Sequence, residues 1–297
     1  LRVDKYTVLP TPDEILPPIP DNRVVESRER VKLILNGTIQ NCKVVFVGPC
    51  SIHSETSAIE YARRLQALQE KTPNLFLVMR FFLQKPRTSV GWTGFLEDPH
   101  LNDSREIGAG LTRSVALAHK IVYEIGQPIC MELLGTTIEP QYFNNFLTAG
   151  FIGARTSESQ IHRNLASGVS FPIGIKNPSS GDAITAYHGV VAARKPHSFC
   201  GIDPKGNVCG VHTKGNPDAF VVLRGSYKNG PNITSGVLDL SEHNVSIVVD
   251  CAHGNSNKDL QVQMDNAIYA CKIKRVKGLL IESHLKEGRQ AACPKAG

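Results

Sequence analysis

The sequence predicts an α/β fold in which eight parallel strands close into a (β/α)8, or TIM, barrel behind an N-terminal extension. Three observations predict it. Eight short apolar runs recur along the 297 residues, most of them separated by stretches with helical spacing, the order expected of parallel strands in βα units. At or just past the end of each run stands a polar or ionisable residue: Cys50, Arg80, Glu132, Arg155, Lys176, Arg224, His253 and Glu282. In a barrel such ends line one mouth, where active sites lie. A doubly wound sheet is the alternative, but no GxGxxG follows the first run to favour a dinucleotide fold.

Taken in order, residues 1–23 read as an irregular, proline-rich arm, and 27–35 as a helix closed by Asn36-Gly37. With this helix, residues 1–40 form the extension and 41–297 the barrel. The first strand is expected over 44–47, then a helix over 58–70 and a strand over 75–78. A helix over 104–125 precedes the strand at 128–132. A short helix over 141–149 leads to a strand over 151–155, and the next strand falls at 173–176. After a helix over 182–193, residues 199–212 look like an inserted hairpin. Strands at 220–224, 247–250 and 278–282 complete the set.

Composition narrows the function. Hydrophobic residues make up 41% of the chain, enough for a large core. The net charge of +6 suits an anionic metabolite, and with no Lys/Arg block it does not argue for nucleic acid. No apolar run reaches the roughly 18 residues of a membrane span. The eight cysteines show no CxxC pair or regular framework, which reads as reduced thiols in a cytoplasmic protein. No GxSxG is present to suggest a serine hydrolase, and His53, His188, His212 and His284 read as ordinary histidines.

The chemistry gathers in MRFFLQKPRTSVGW, residues 79–92. Arg80, Lys85 and Arg87 fall within eight residues, with Pro86 to stiffen the loop and Thr88 to add a hydroxyl. Cations just past a buried strand repel one another unless an anion is bound, and phosphate suits both the arginine fork and the lysine point charge. A solvated basic loop is the simpler reading of this stretch alone. Five cations delivered by different strands, Arg80, Arg155, Lys176, Arg224 and His253, favour an anion-binding mouth. Cys50, His253 and Glu282 offer a thiolate, an imidazole and a carboxylate, suitable ligands for Mn, Fe, Co or Zn, although their spacing carries no local signature.

With these residues in place, GPCSIH (48–53), KPRTSVGW (85–92), GARTSESQ (153–160), HRNLASG (162–168), LRG (223–225), DCAHGNSNKD (250–259) and IESHLKEGRQ (281–290) resemble the class I 3-deoxy-D-arabino-heptulosonate-7-phosphate (DAHP) synthases, the microbial feedback-regulated type above all. The resemblance implies condensation of phosphoenolpyruvate with erythrose 4-phosphate at the head of the shikimate pathway. Phosphoenolpyruvate would be held by Arg80, Lys85, Arg155, Lys176 and Arg224 with the backbone at Gly153 and Ala154. The sugar phosphate would be held by Pro86, Arg87 and Thr88. Glu132 would face the cleft, and Cys50, His253 and Glu282 would ligate a divalent metal. It further implies an aromatic amino acid inhibitor near Gln141 and Ser170, and a homodimer or homotetramer. The related 3-deoxy-octulosonate-8-phosphate synthases lack the KPRT loop.

The chain departs from the family pattern at four places. Gln84 and Thr93 stand where Glu and Lys are usual. Asn177-Pro178-Ser179-Ser180-Gly181 replaces the later part of a KNGTDG loop. The family's fourth metal ligand, an Asp in a SITDACIGW-like segment, and the last helix are expected after Gly297. These departures leave a second reading open, a catalytically weak paralogue acting as a regulatory or oligomer partner.

Overall fold

The apolar runs become strands because both of their faces are covered, one by the barrel interior and one by helices. The computed structural model describes residues 2–87, 90–135 and 139–288. After a single helical turn, α1 (Pro12–Ile15), and helix α2 (Arg23–Leu35), the chain alternates strand and helix. It runs through β1 (Lys43–Gly48), α3 (Glu55–Gln69), β2 (Leu75–Arg80), α4 (Ile107–His119), β3 (Ile129–Glu132), α5 (Glu139–Phe143), β4 (Leu147–Ile152), α6 (Gln160–Ala166), β5 (Ile173–Lys176) and α7 (Ala183–Ala193). An antiparallel hairpin follows, β6 (Ser198–Ile202) and β7 (Val208–His212). Then come β8 (Phe220–Leu223), α8 (Ile233–Asp239), β9 (Ile247–Asp250), the turn α9 (His253–Ser256), α10 (Leu260–Lys272) and β10 (Val276–Glu282).

The eight strands other than the hairpin form a closed parallel barrel in the order β1-β10-β9-β8-β5-β4-β3-β2, as the sequence predicts. Alternate residues point inward. Phe46, Phe151 and Phe220 meet at the centre, with Phe46 edge-on to Phe151 at 4.9 Å and stacked on Phe220 at 6.1 Å. Gly174 leaves the room for them: a Cβ there would sit 2.7 Å from Phe220 and 2.8 Å from Phe151. Local signals start the helices. Ser54, Asp182 and Asp259 each accept a backbone N–H of the first turn of α3, α7 and α10.

Two segments differ from the sequence reading. The helix expected over 141–149 stops at Phe143, and the strand begins at Leu147. Asn144-Asn145 ends the helix, and Leu147, Ala149 and Gly150 pair with β3 instead, a ladder that helical spacing cannot anticipate. The helix expected over 104–125 starts at Ile107 and, from Lys120 to Ile125, widens into a π-helical turn. Helices α6, α8 and α10 are present in addition to the helices expected from the sequence.

Helix α2 closes the floor of the barrel. Val31, Ile34 and Leu35 join the interior cluster with Val44, Phe46 and Phe76. On its other side Arg28 donates to the carbonyls of Leu147 (2.8 Å) and Asn144, and Ser27 meets Thr148 at 2.7 Å. The arm ahead of α2 is tied to α5 by Tyr142, whose hydroxyl donates to the Pro10 carbonyl at 2.5 Å. No described helix is long and apolar enough to cross a membrane, and the seven described cysteines are free thiols.

If α2 is the floor, truncating its buried face opens a cavity. Ile34, with no exposed surface, changed to Ala is expected to cost about 2–5 kcal/mol, read as a lower urea midpoint. A loss below about 0.5 kcal/mol, the usual size for an uninvolved surface site, would show that α2 does not seal the interior.

Candidate active site

Parallel closure brings every strand's C-terminal end to one rim. Arg80, Glu132, Lys176 and Glu282 are the last residues of their strands, and Arg224 follows β8 directly. Cys50 lies two residues beyond β1, Arg155 three beyond β4, and His253 opens α9. The expected residues therefore share one rim, although not all at the strand ends proper.

The centre of this rim is Asp250, which the sequence reading did not single out. It is fully buried at the end of β9. Its carboxylate accepts from Lys176 Nζ at 3.3 Å, from His253 Nδ1 at 2.9 Å and from the Ala252 backbone at 3.1 Å. Burial works against its charge, but His253, Lys176 and Arg80 outweigh burial and hold the carboxyl well below its usual range. Glu282 behaves likewise: burial opposes its ionisation, while Arg80 and His253 bring it down to about 2.

Arg80 is almost wholly buried. Its Nε donates to the Pro49 carbonyl at 3.2 Å, one terminal nitrogen meets Glu282 at 3.1 Å, and its guanidinium stacks 4.2 Å from the Phe82 ring. The other terminal nitrogen, NH1, is buried without a partner. A buried cationic N–H left unmade is costly, and an incoming anion is the natural acceptor. The repulsion among the cations that the sequence implies is thus met in part from within the rim. Asp250 and Glu282 compensate Lys176 and Arg80.

The loop after β2 is shaped by short backbone ties. Lys85 N donates to the Thr93 carbonyl at 2.6 Å, and Gln84 bridges Gly94. Arg87 Nε donates to the Trp92 carbonyl at 2.7 Å, which orients its guanidinium. Lys85 Nζ rests against Cys50 Sγ. Pro86 is described; Thr88 lies outside the described residues. Gln84 donates to Glu97 at 3.0 Å, where a glutamate would set two carboxylates together. Thr93 enters through its carbonyl, so its side chain has no part in that bond.

Behind the rim, three buried carboxamides stitch the loops together. Asn177 Oδ1 accepts from the Arg224 backbone at 2.7 Å and from Asn232 at 3.1 Å. Asn255 donates to the carbonyls of Leu223 and Asp250 and accepts from the Asn232 backbone. On the opposite side of the mouth Gly153 allows Glu132 to approach: a Cβ there would fall 2.1 Å from Glu132 Oε1. Ala154 and the exposed Arg155 continue from it.

Of the three candidate metal ligands, the structure brings two together. His253 Nε2 lies 3.3 Å from Glu282 Oε1. When Nδ1 carries its proton to Asp250, Nε2 turns a lone pair toward a carboxylate, an arrangement that fits a cation between them. Cys50 faces Lys85 on the same rim, and among the described residues no three donors are gathered into a cage. The donor set of sulfur, nitrogen and oxygen fits a borderline divalent ion. Gln141 and Ser170 lie away from the rim. Gln141 donates to the Ile202 carbonyl of the hairpin at 2.9 Å, while Ser170 bonds Asn144 and Arg28. Both belong to the surroundings of α5, but they do not touch each other.

Known proteins share this architecture. Residues 24–296 match the DAHP synthetase I family. The Tyr-sensitive phospho-2-dehydro-3-deoxyheptonate aldolase of Escherichia coli is 39% identical, aligned over 98% of this chain and 86% of its own length. The phenylalanine-inhibited enzyme of that name from Saccharomyces cerevisiae is also 39% identical, over 100% of this chain and 84% of its own. The solved phospho-2-dehydro-3-deoxyheptonate aldolase of Francisella tularensis superposes with a TM-score of 0.94 at 36% identity, covering 99% of this chain and 90% of that one.

Removing the central carboxylate leaves the buried Lys176 uncompensated. Asp250→Asn is expected to destabilise the fold by about 3–5 kcal/mol, measured by urea unfolding. A change below about 1 kcal/mol, the range of an exposed pair, would show that Asp250 does not hold the rim together.

Proposed function

The chain belongs to the DAHP synthetase I family, and from that membership we propose how its own residues carry the reaction. It is a 3-deoxy-7-phosphoheptulonate synthase, condensing phosphoenolpyruvate with D-erythrose 4-phosphate and water to give DAHP and phosphate, the first step of the shikimate pathway. The observation that carries the residue assignment is the buried, partnerless NH1 of Arg80 on a rim that also holds Lys176 and Arg224.

Phosphoenolpyruvate carries a phosphate and a carboxylate on three carbons. Arg80, Lys85, Arg155, Lys176 and Arg224 neutralise these groups, and the backbone at Gly153 and Ala154 accepts close approach. Arg87 and Thr88 take the phosphate of the sugar, with Pro86 shaping that end of the site. The two substrates then lie in line, so that C3 of phosphoenolpyruvate attacks the aldehyde without a further search for geometry. Glu132, pressed against Gly153, holds the water that adds at C2 before phosphate leaves. The arginines and lysines stabilise charge as it moves onto the departing phosphate.

Cys50, His253 and Glu282 would hold one divalent ion, Mn, Fe, Co or Zn, which when bound supplies Lewis acidity at the sugar aldehyde. Asp250 fixes the His253 ring from behind. Relatives are named for inhibition by tyrosine or phenylalanine. The surroundings of Gln141 and Ser170, bounded by α5, the hairpin and α2, are the proposed pocket for such a ligand, and residues 1–40 the proposed regulatory and oligomer arm. A homodimer or homotetramer working in the cytoplasm fits this reading.

Phosphate release from phosphoenolpyruvate tests the function. Release is expected only with erythrose 4-phosphate present and to rise on adding Mn. Cys50→Ser is expected to weaken metal affinity about tenfold or more, because the softest ligand is lost. Metal affinity unchanged in Cys50→Ser would remove Cys50 from the ligand set, and release without the sugar would overturn the reaction.

Thermal shift tests the inhibitor pocket. One of phenylalanine, tyrosine or tryptophan is expected to raise the melting temperature, since a ligand that binds the folded state stabilises it. Ser170→Tyr, filling the pocket, is expected to abolish that rise; a rise that persists places the ligand elsewhere.

A further inference from the structure

The outer rim carries an aromatic side chain that binding and chemistry have so far left without a role. After Arg224 the chain folds into a small closed loop. Ser226 and Gly230 exchange both backbone hydrogen bonds at 2.9 Å, and Ser226 Oγ accepts from the backbones of Lys228 and Asn229. Asn229 donates to the Ser180 carbonyl at 2.8 Å, tying this loop to the one after β5. The base of the loop is pinned at Gly225, with φ +67°, where a Cβ would lie 2.6 Å from the Asn255 backbone.

This rigid loop presents Tyr227, which is 51% exposed. The ring centroid lies 5.1 Å from the Arg224 guanidinium and 5.5 Å from Lys258 Nζ. Lys258 follows Asn257, and both occupy left-handed backbone, with φ +65° and +49°. Such conformations cost energy in residues other than glycine and persist where the surroundings impose them. Among the described residues the Lys258 ammonium has no carboxylate within ion-pair distance, and the Tyr227 ring is its contact. Burial raises the pKa of the phenol and Arg224 lowers it, with Glu282 and Asp250 raising it again, so the ring stands within the field of the mouth.

Two like charges beside one ring repel each other and are each attracted to its π face. An anion that reaches both cations would relieve that repulsion. We propose that Tyr227 is a positioning residue that holds Arg224 and Lys258 as a paired cation site at the entrance, with Lys258 a further ligand for the phosphate of phosphoenolpyruvate. This rests on the reading of Arg224 as a phosphoenolpyruvate ligand.

The test is calorimetric binding of phosphoenolpyruvate, with steady-state kinetics beside it and thermal melting to confirm that each variant folds. Tyr227→Leu is expected to weaken binding about three- to tenfold, raising KM for phosphoenolpyruvate with kcat within about twofold. Tyr227→Phe, which keeps the ring, is expected to recover most of the affinity. Lys258→Met is expected to weaken binding and to flatten the salt dependence of kcat/KM. Arg224→Ala separates the two levels of the argument. If Arg224→Ala loses affinity while Tyr227→Leu and Lys258→Met bind as tightly as the native protein, the positioning proposal is overturned and the binding site stands. If Arg224→Ala also binds normally, both fall. Failure of Tyr227→Phe to recover affinity would equally overturn the role given to the ring.

Discussion

A single buried carboxylate sets the terms for the mouth of this barrel. Asp250 lies at the end of β9 with no exposed surface, in contact with Lys176 and His253 and in the field of Arg80. Without it, β5 would deliver the buried Lys176 into a low-dielectric interior with nothing to oppose it, and Arg80 would be left to Glu282 alone. With it, the cations can be packed closely and still leave donor capacity, such as Arg80 NH1, for an outside anion. The same carboxylate orients His253, so the rim's buried lysine and its imidazole depend on one group.

That electrostatic centre needs a rigid frame, and packing supplies it from below. The interior is filled by Phe46, Phe151 and Phe220, and the floor is sealed by Val31, Ile34 and Leu35 of α2. A filled barrel is close-packed and hard to compress, which fixes where each strand ends. Above it, Asn177, Asn232 and Asn255 bond the loops after β5, β8 and β9 to one another. Each carboxamide has both a donor and an acceptor, so one side chain can hold two loops in register. The result is a rim whose charged groups differ in reach but little in position.

One backbone bond and one side-chain bond hold Thr93 and Gln84 in the loop after β2. Thr93 contributes its carbonyl to Lys85, and Gln84 finds a carboxylate in Glu97. The hairpin of β6 and β7 stands outside the barrel and meets α5 through Gln141. It can therefore vary without moving a strand of the barrel.

The amino-acid sequence by itself determined the order of strands, the mouth they share and the identity of the rim cations. Runs such as FVVL and IVVD are apolar on both faces, and only strands covered on both sides need that pattern. It also carried the hairpin, because its short β-prone runs flank Asp203-Pro204-Lys205-Gly206, a strong turn signal. The start of β4 was not legible, since Leu147, Thr148 and Ala149 suit helix or strand until β3 is beside them. Asp250 and the three asparagines were visible as letters but not as a network. Beside a few local bonds, the contacts that join them into a network span 23 to 74 residues, and no local period encodes such a distance. Tertiary structure alone decided which charges meet, because the field at a buried group depends on neighbours that only closure of the barrel brings within a few ångströms.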